Sequence, residues 1–212
     1  MARLDLSAPT GRLRFVPIPA ATAAAVVIEH HYLHRRPPIS HAFGLTNGVE
    51  VVGVCTFGTP ASGHLCRGVC PAEPGAVVEL NRLWLSDELQ RNSESRFLAQ
   101  CLKAMPPRIV VSYADLAFGH VGIVYRAANF RYAGWTDMDR RTPRLDYIPH
   151  ATGKHTREAT RSGTAYTVRR TPKVRYWTTT GGRADRRRLA TMCAWPSLDW
   201  RLLPPPTFKA AA

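Results

Sequence analysis

Acidic side chains are scarce in this chain: 15 Asp and Glu stand against 29 Lys and Arg in 212 residues, a formal net charge of +14. Such a deficit points to a polyanion partner, most often nucleic acid, or else to a solubilising basic face or tail. The excess is uneven: residues 1–138 hold 13 basic and 10 acidic side chains, residues 139–212 hold 16 and 5. Long apolar runs are also missing, and none reaches the roughly 18 residues that a membrane helix needs. The Ala-rich stretch from Ile18 to Ile28 is interrupted by Pro19 and followed by Glu29-His30-His31, so it reads as a helix in water rather than a signal peptide or membrane anchor. Cysteine is sparse and odd in number. Cys55, Cys66, Cys70, Cys101 and Cys193 lack disulfide-framework spacing, which suits a reducing cytoplasm. Cys66 and Cys70 with His64 have no second pair of close ligands, so they read as loop thiols rather than a metal site.

What is present suffices for a core, because 45% of the residues are apolar. Arg12 to Ile18 alternates like a first strand, which Pro17 confines to an edge. A helix over Ala20 to His31 follows, and Pro37-Pro38 stops the chain after it. Ala42 to Leu45 and Val51 to Phe57 flank Asn47-Gly48, a hairpin signal. Gly58 to Gly75 reads as a long loop. Val77 to Leu85 is a central strand, with Glu79, Asn81 and Arg82 among apolar neighbours, where charge is costly to bury unless paired or used, or else belongs to the solvated face of an edge strand. A helix capped by Asn92 or Ser93 runs to about Met105, and Pro106-Pro107 ends it. Arg108 to Tyr113 is an apolar strand of the kind covered on both faces. A short helix over His120 to Asn129 and a strand over Phe130 to Thr136 come next. Beyond Asp139 only Lys173 to Thr179 patterns as a strand. Charge and pattern together divide the chain into a catalytic core, 1–138, and a basic extension, 139–212, that packs on it. The element order predicts an α/β (α+β) fold, a mixed sheet with helices on both faces. This is also the order of the GCN5-related N-acetyltransferase (GNAT) fold.

Three stretches concentrate chemistry. Glu29-His30-His31-Tyr32-Leu33-His34-Arg35-Arg36 places ionisable groups at a helix end, where histidine serves as base or metal ligand or is simply solvated. Arg91-Asn92-Ser93-Glu94-Ser95-Arg96 opens a helix, and helix N-termini bind phosphates. Acetyltransferases have glycines where this chain has serines, which counts against coenzyme A. Ser112-Tyr113-Ala114-Asp115, then Gly119-His120-Val121-Gly122 and Tyr125, put a carboxylate, an imidazole and a phenol past a strand end, where open α/β sheets hold ligands. Asp115 serves equally well there as a helix cap, and Tyr125 as a core residue.

His31-Tyr32-Leu33-His34-Arg35, Ala42-Phe43-Gly44-Leu45, Glu79-Leu80-x-Arg82, Arg91-Asn92-x-x-Ser95-Arg96-Phe97, Ser112-Tyr113-Ala114-Asp115 and Gly119-His120-x-Gly122-x-x-Tyr125 are similar, in order and spacing, to the bacteriophage Mom family. The resemblance covers roughly residues 25–136. It implies a GNAT-like fold and conversion of adenine in DNA to N6-carbamoylmethyladenine, which shields phage DNA from restriction in the host cytoplasm. The family's functional positions fall on His31, Tyr32, Arg82, Ser95, Asp115 and Tyr125. Asp115, with His31 or Tyr32, would then handle protons at the adenine amine. Arg82 and Ser95, with Arg91 and Arg96, would hold the donor, and Tyr125 would orient or protonate its leaving group. The resemblance also raises an iron held by His31 and Asp115.

Atom counting narrows the donor. Carbamoylmethyl contains a nitrogen that acetyl lacks, and glycyl is its isomer, so an activated glycine such as glycyl-tRNA fits better than acetyl-CoA. The basic third supplies phosphate contacts for double-stranded DNA and for tRNA: Lys154, Arg157, Arg169, Arg170, Lys173 and Arg175, joined by Arg35 and Arg36. An adenine amine inside a duplex is poorly placed for attack, so base flipping is expected. Two rivals stay open at this point: an acetyl-CoA-dependent N-acetyltransferase acting on a small amine or protein, and a non-catalytic DNA-binding protein on the same fold. Oligomeric state is not legible.

Overall fold

The computed structural model describes residues 7–8, 11–137, 141–142, 144–150 and 165–203. Strands β1 (Ser7–Ala8) and β2 (Gly11–Arg12) pair with each other. Strands β3 (Arg14–Pro17), β4 (His41–Thr46), β5 (Val51–Gly58), β6 (Val77–Leu85), β7 (Ile109–Asp115), β8 (Arg131–Trp135) and β11 (Lys173–Thr179) form one mixed sheet, in the order β3-β4-β5-β6-β7-β11-β8. A separate ribbon pairs β9 (Leu145–Pro149) with β10 (Ala165–Arg169). The helices are α1 (Ala20–His30), α2 (Gly63–Val69), α3 (Ser93–Ala104), α4 (Ile123–Ala127) and α5 (Arg183–Met192). The α/β fold with helices on both faces that the element order implied is the observed architecture.

Side-chain alternation along the strands sorts the core into two layers. On one face Phe43, Cys55, Leu80 and Val110 pack against Phe97, Leu98 and Cys101 of α3 and Tyr125 of α4. On the other, Val77, Ile109, Val111 and Trp177 pack against Val69 of α2 and Leu189 of α5. Ala23 and Val27 of α1 cover Ala42 and Val54 on that same side. Full burial of residues such as Phe97, Leu98 and Val111 contributes about 1.5–3 kcal/mol each.

Among the described residues only β6 and β7 pair in parallel, and only over Val77–Glu79 against Ile109–Val111. Beyond that point β6 continues to Leu85 and β7 to Asp115 with no pairing between them among the described residues. Ser112 sits where they part: its Oγ lies 2.9 Å from the Leu80 carbonyl oxygen. The resulting gap runs through the sheet, and the site is built around it.

Some expectations need correcting. The supposed loop from Gly58 to Gly75 contains α2, a helix of two turns with a glycine at its start and another inside it, too short for an apolar periodicity to read. Cys66 and Cys70 are buried in the apolar layer beneath it, whereas His64 is exposed beside Arg67. Neither Asn92 nor Ser93 caps α3 with its side chain: Asn92 is left-handed (φ 69°), and the Ser93 hydroxyl donates to the Gln90 carbonyl. The C-terminal third also holds β9, β10 and α5. Helix α5 has one buried side chain, Leu189, and so no apolar stripe. The boundary expected at Asp139 does not divide the sheet, because β11 lies between β7 and β8 with Lys173 opposite Asp115.

Candidate active site

The gap between β6 and β7 opens into a cavity of about 350 Å³, lined from both sheet faces. Val78 and Leu80 point into the α3–α4 layer, so Glu79 between them points the other way, toward the side covered by α1 and α2. Tyr113 lies on Glu79's side by the same alternation, and Ser112 on that of Tyr125. The cavity adjoins a second, of about 400 Å³, at the N-terminus of α3, with Glu94, Ile123 and Val124 common to both.

The segment after α1 is fastened over this gap by β6. Asn81 Nδ2 donates to the Pro38 carbonyl (2.7 Å) and its Oδ1 accepts from Thr56 Oγ1 (2.6 Å). The Arg82 guanidinium donates to the carbonyls of Asn81 and Arg35. Gly58 makes the crossing possible, because a Cβ there would stand 2.0 Å from the Pro38 oxygen. The polar residues on β6 that looked costly to bury thus hold His31 and Tyr32 beside the cavity. Gly122, at φ +75°, is required on the far side, where a Cβ would meet the Tyr176 ring at 2.5 Å.

Each titratable group has a distinct state. Burial, reinforced by the charge of Arg82 and by His120 and His34, lowers His31 to about 4, so it is neutral at pH 7. Its Nδ1 accepts from the Leu33 amide (3.2 Å), which places the single ring proton on Nε2. His31 therefore offers a donor rather than a base. Asp115 accepts from the Ala117 amide through Oδ1 (3.0 Å), capping the turn Leu116–Phe118, and its Oδ2 faces the Lys173 ammonium at 3.3 Å. Glu79 differs. No hydrogen bond or ion pair reaches its carboxylate among the described residues, and burial raises it against the opposing pull of Arg82 and Lys173. Burial also raises Tyr125. Ser112 Oγ lies 2.9 Å from both Leu80 O and Tyr125 Oη. A carbonyl only accepts and a serine carries one proton, so the resting chain runs from Tyr125 O–H to Ser112 Oγ to Leu80 O.

The structure brings together His31, Tyr32, Arg82 and Tyr125 at the cavity, with Asp115 held behind Lys173. Two nitrogens of Arg82 are spent on backbone carbonyls; its Nε is buried and has no partner among the described residues. Arg91 and Ser95 line the second cavity, where Ser95 Oγ donates to the Asn92 carbonyl, while Arg96 is exposed and lines neither. Arg35, Arg36 and Arg169 are exposed. Three of the residues expected on phosphates are engaged within the protein: Arg170 pairs with Asp146, Arg175 lies over the Trp195 ring (5.3 Å), and Lys173 is in the cavity. Lys154 and Arg157 fall outside the described residues. Sequence reasoning gave Glu79 and Tyr113 no named role and His120 none beyond being the imidazole of its stretch; the legible signal for Glu79 was a carboxylate amid apolar strand residues. The iron raised by the resemblance does not fit. The lone pair of His31 Nδ1 and both Asp115 oxygens are engaged, and no cluster of three His, Cys, Asp or Glu able to hold a metal ion exists among the described residues.

A model of the Mom protein family matches residues 12–189, spanning every element of the cavity. The chain belongs to the Mom protein family. Among curated relatives of this Mom-family chain is the methylcarbamoylase mom of Escherichia phage Mu, 36% identical over 131 residues, which are 58% of this chain and 54% of that protein. The match thus spans about half the length of the curated relative. Similar solved structures include a GNAT-family acetyltransferase from Bacillus cereus (11% identity, TM-score 0.46, covering 81% of this chain and 100% of that one). Another is a phosphinothricin acetyltransferase of the GNAT superfamily from Sinorhizobium meliloti (15%, TM-score 0.46, 81% and 91%). Superpositions at this level carry no argument about the chemistry of the Mom-family site, which rests on its own residues.

Proposed function

We propose that this chain is a DNA-modifying transferase that acylates the N6 amine of adenine, the base ending as N6-carbamoylmethyladenine. The observation that carries the reading is the split between β6 and β7, which sets an unpaired carboxylate, Glu79, and a relayed phenol, Tyr125, on opposite faces of one cavity. Kinship with a methylcarbamoylase supports the same acceptor chemistry. In this mechanism Glu79, made more basic by burial, takes the N6 proton as the amine attacks the donor carbonyl. Tyr125 gives its proton to the departing group, which leaves neutral, and the Ser112 hydroxyl turns from the Leu80 carbonyl to donate a hydrogen bond to the phenolate until solvent reprotonates it. His31 donates from Nε2, while Asp115 positions Lys173 rather than accepting the proton. Exposed Arg35, Arg36 and Arg169, with Lys154 and Arg157, supply phosphate contacts to double-stranded DNA.

For the donor we favour an activated glycine, such as glycyl-tRNA, over acetyl-CoA. Glycyl on N6 is an isomer of the final group. Its amine attacks C6 through a five-membered ring, and expulsion of the amide nitrogen leaves N–CH2–CO–NH2 without loss of atoms. Serines at Ser93 and Ser95, where a pyrophosphate-binding loop has glycines, support this choice. The test is mass spectrometry of nucleosides from plasmid DNA co-expressed with the protein. The expected product is a deoxyadenosine heavier by two carbons, three hydrogens, one nitrogen and one oxygen, which acquires label from isotopic glycine. Unmodified deoxyadenosine from folded protein would refute the acceptor, and label arriving from acetate alone would refute the donor.

A further inference from the structure

The cavity mouth carries more exposed aromatic surface than a sheet of this kind needs for its own packing. Phe118, on the turn capped by Asp115, is 50% exposed, and Tyr32, just past α1, is 39% exposed. Their ring centroids lie 4.5 Å apart, and Tyr32 in turn stacks on His31 at 4.3 Å. His120 meets Tyr32 edge-on at 5.2 Å and Phe118 at 6.4 Å. Large half-exposed rings cost solvation free energy unless a ligand covers them, and contiguous exposed apolar patches mark binding sites. Tyr32 and His120 line the same cavity as Glu79, and Phe118 adjoins them from outside that lining. The three rings carry no formal charge when His120 is neutral, whereas Lys173 and Arg82 line the same cavity as cations. A planar, uncharged, aromatic ligand suits the rings.

We propose that Phe118 and Tyr32, with His120 at their edge, form a platform on which the adenine ring, extruded from the duplex, lies flat with its amine toward the cavity. Contact between Phe118 and Tyr32 leaves no space for a third ring between them, so the base stacks on their outer surface. The proposal rests on the reading of adenine in DNA as acceptor, and assigns to Phe118 and His120 a role in holding the base. Because Asp115 caps the turn bearing Phe118, its carboxylate sets the platform as well as Lys173. Stacking is indifferent to flanking sequence, because every base presents a π-face.

The experiment compares binding to two duplexes, one with a single adenine opposite an abasic site and one abasic at both positions. An unpaired base removes most of the cost of extrusion, which makes the readout independent of turnover and of sequence context. Wild-type protein should prefer the adenine duplex by roughly ten-fold, within the range expected for stacking of one base on aromatic side chains. Phe118→Ala and Phe118→Leu should each lose about five-fold or more of that preference while binding the abasic duplex as wild type does, and Phe118→Trp should restore it. Full adenine preference in both Phe118→Ala and Phe118→Leu overturns the platform, as does loss that Phe118→Trp fails to rescue. Modified deoxyadenosine in co-expressed plasmid without any adenine preference overturns the platform and leaves the acceptor reading standing. Absence of both modification and preference removes the two together.

Discussion

The two faces of the gap between β6 and β7 are built to opposite specifications. On the α3–α4 side, Tyr125 is enclosed in the core, and its hydroxyl is tied through Ser112 to the Leu80 carbonyl. On the other side Glu79 has a carboxylate with no hydrogen bond among the described residues, in a cavity also lined by half-exposed Tyr32 and a neutral imidazole, His31. The first face fixes one proton in one place; the second leaves an acceptor waiting for one. A reaction that removes a proton on one side of a bond-forming step and returns one on the other needs this asymmetry. Two carboxylates sharpen the point. Asp115 looks catalytic by position, yet spends both oxygens on structure, whereas Glu79 looks misplaced in its strand and spends neither.

Substitutions can break that contrast, and the largest effect is expected at Glu79. Glu79→Gln should lower modified-adenine yield by roughly a hundred-fold or more, as loss of a general base does. It should leave thermal stability equal or higher, since a desolvated carboxylate is removed. Tyr125→Phe should follow with a loss of about ten- to a hundred-fold. Ser112→Ala should cost only a few-fold in rate but destabilise the fold by about 1 kcal/mol, because the Leu80 carbonyl loses its donor. Asp115→Ala should reduce activity and melting temperature together, by removing a turn cap and the partner of Lys173, while Asp115→Asn keeps the cap and recovers part of both.

Stability should also report on His31. Its folded value of about 4 lies below the ordinary 6.5, so between those pH values the unfolded chain binds the extra proton. Stability therefore falls as pH drops from about 6.5 toward 4, by up to roughly 3 kcal/mol. Thermal melts of His31→Asn should show a shallower decline across that window. The smallest effect is at the rim: Arg169→Ala should weaken DNA binding uniformly across sequences and reduce the salt slope by about one.

Much of this fold was legible because its signals are local. Pro17 marks β3 as an edge strand, Asn47-Gly48 marks the turn between β4 and β5, and the run ending at Tyr113 marks a strand covered on both sides. Helix α5 was not, because Leu189 is its one buried side chain, supported by partly buried Ala190 and Met192, with four arginines along the rest. The insertion of β11 between β7 and β8 is a long-range pairing that no window of sequence encodes. The same distinction holds for the site. Clustered residue types marked the stretches, and the family resemblance singled out His31, Tyr32, Asp115 and Tyr125 within them. Whether a carboxylate is engaged depends on partners far along the chain, such as Lys173 for Asp115. That is why Glu79, conspicuous in its strand, gained a role only with the fold.

The most direct test of the central assignment is a side-by-side comparison of modified deoxyadenosine in plasmid DNA co-expressed with wild-type, Glu79→Gln and Asp115→Asn proteins at matched soluble levels. The account predicts that Glu79→Gln abolishes the modification to within a hundredth of wild type while Asp115→Asn retains a measurable fraction, about a tenth or more. Near-normal modification by Glu79→Gln together with its loss in Asp115→Asn would contradict it and return the proton to Asp115.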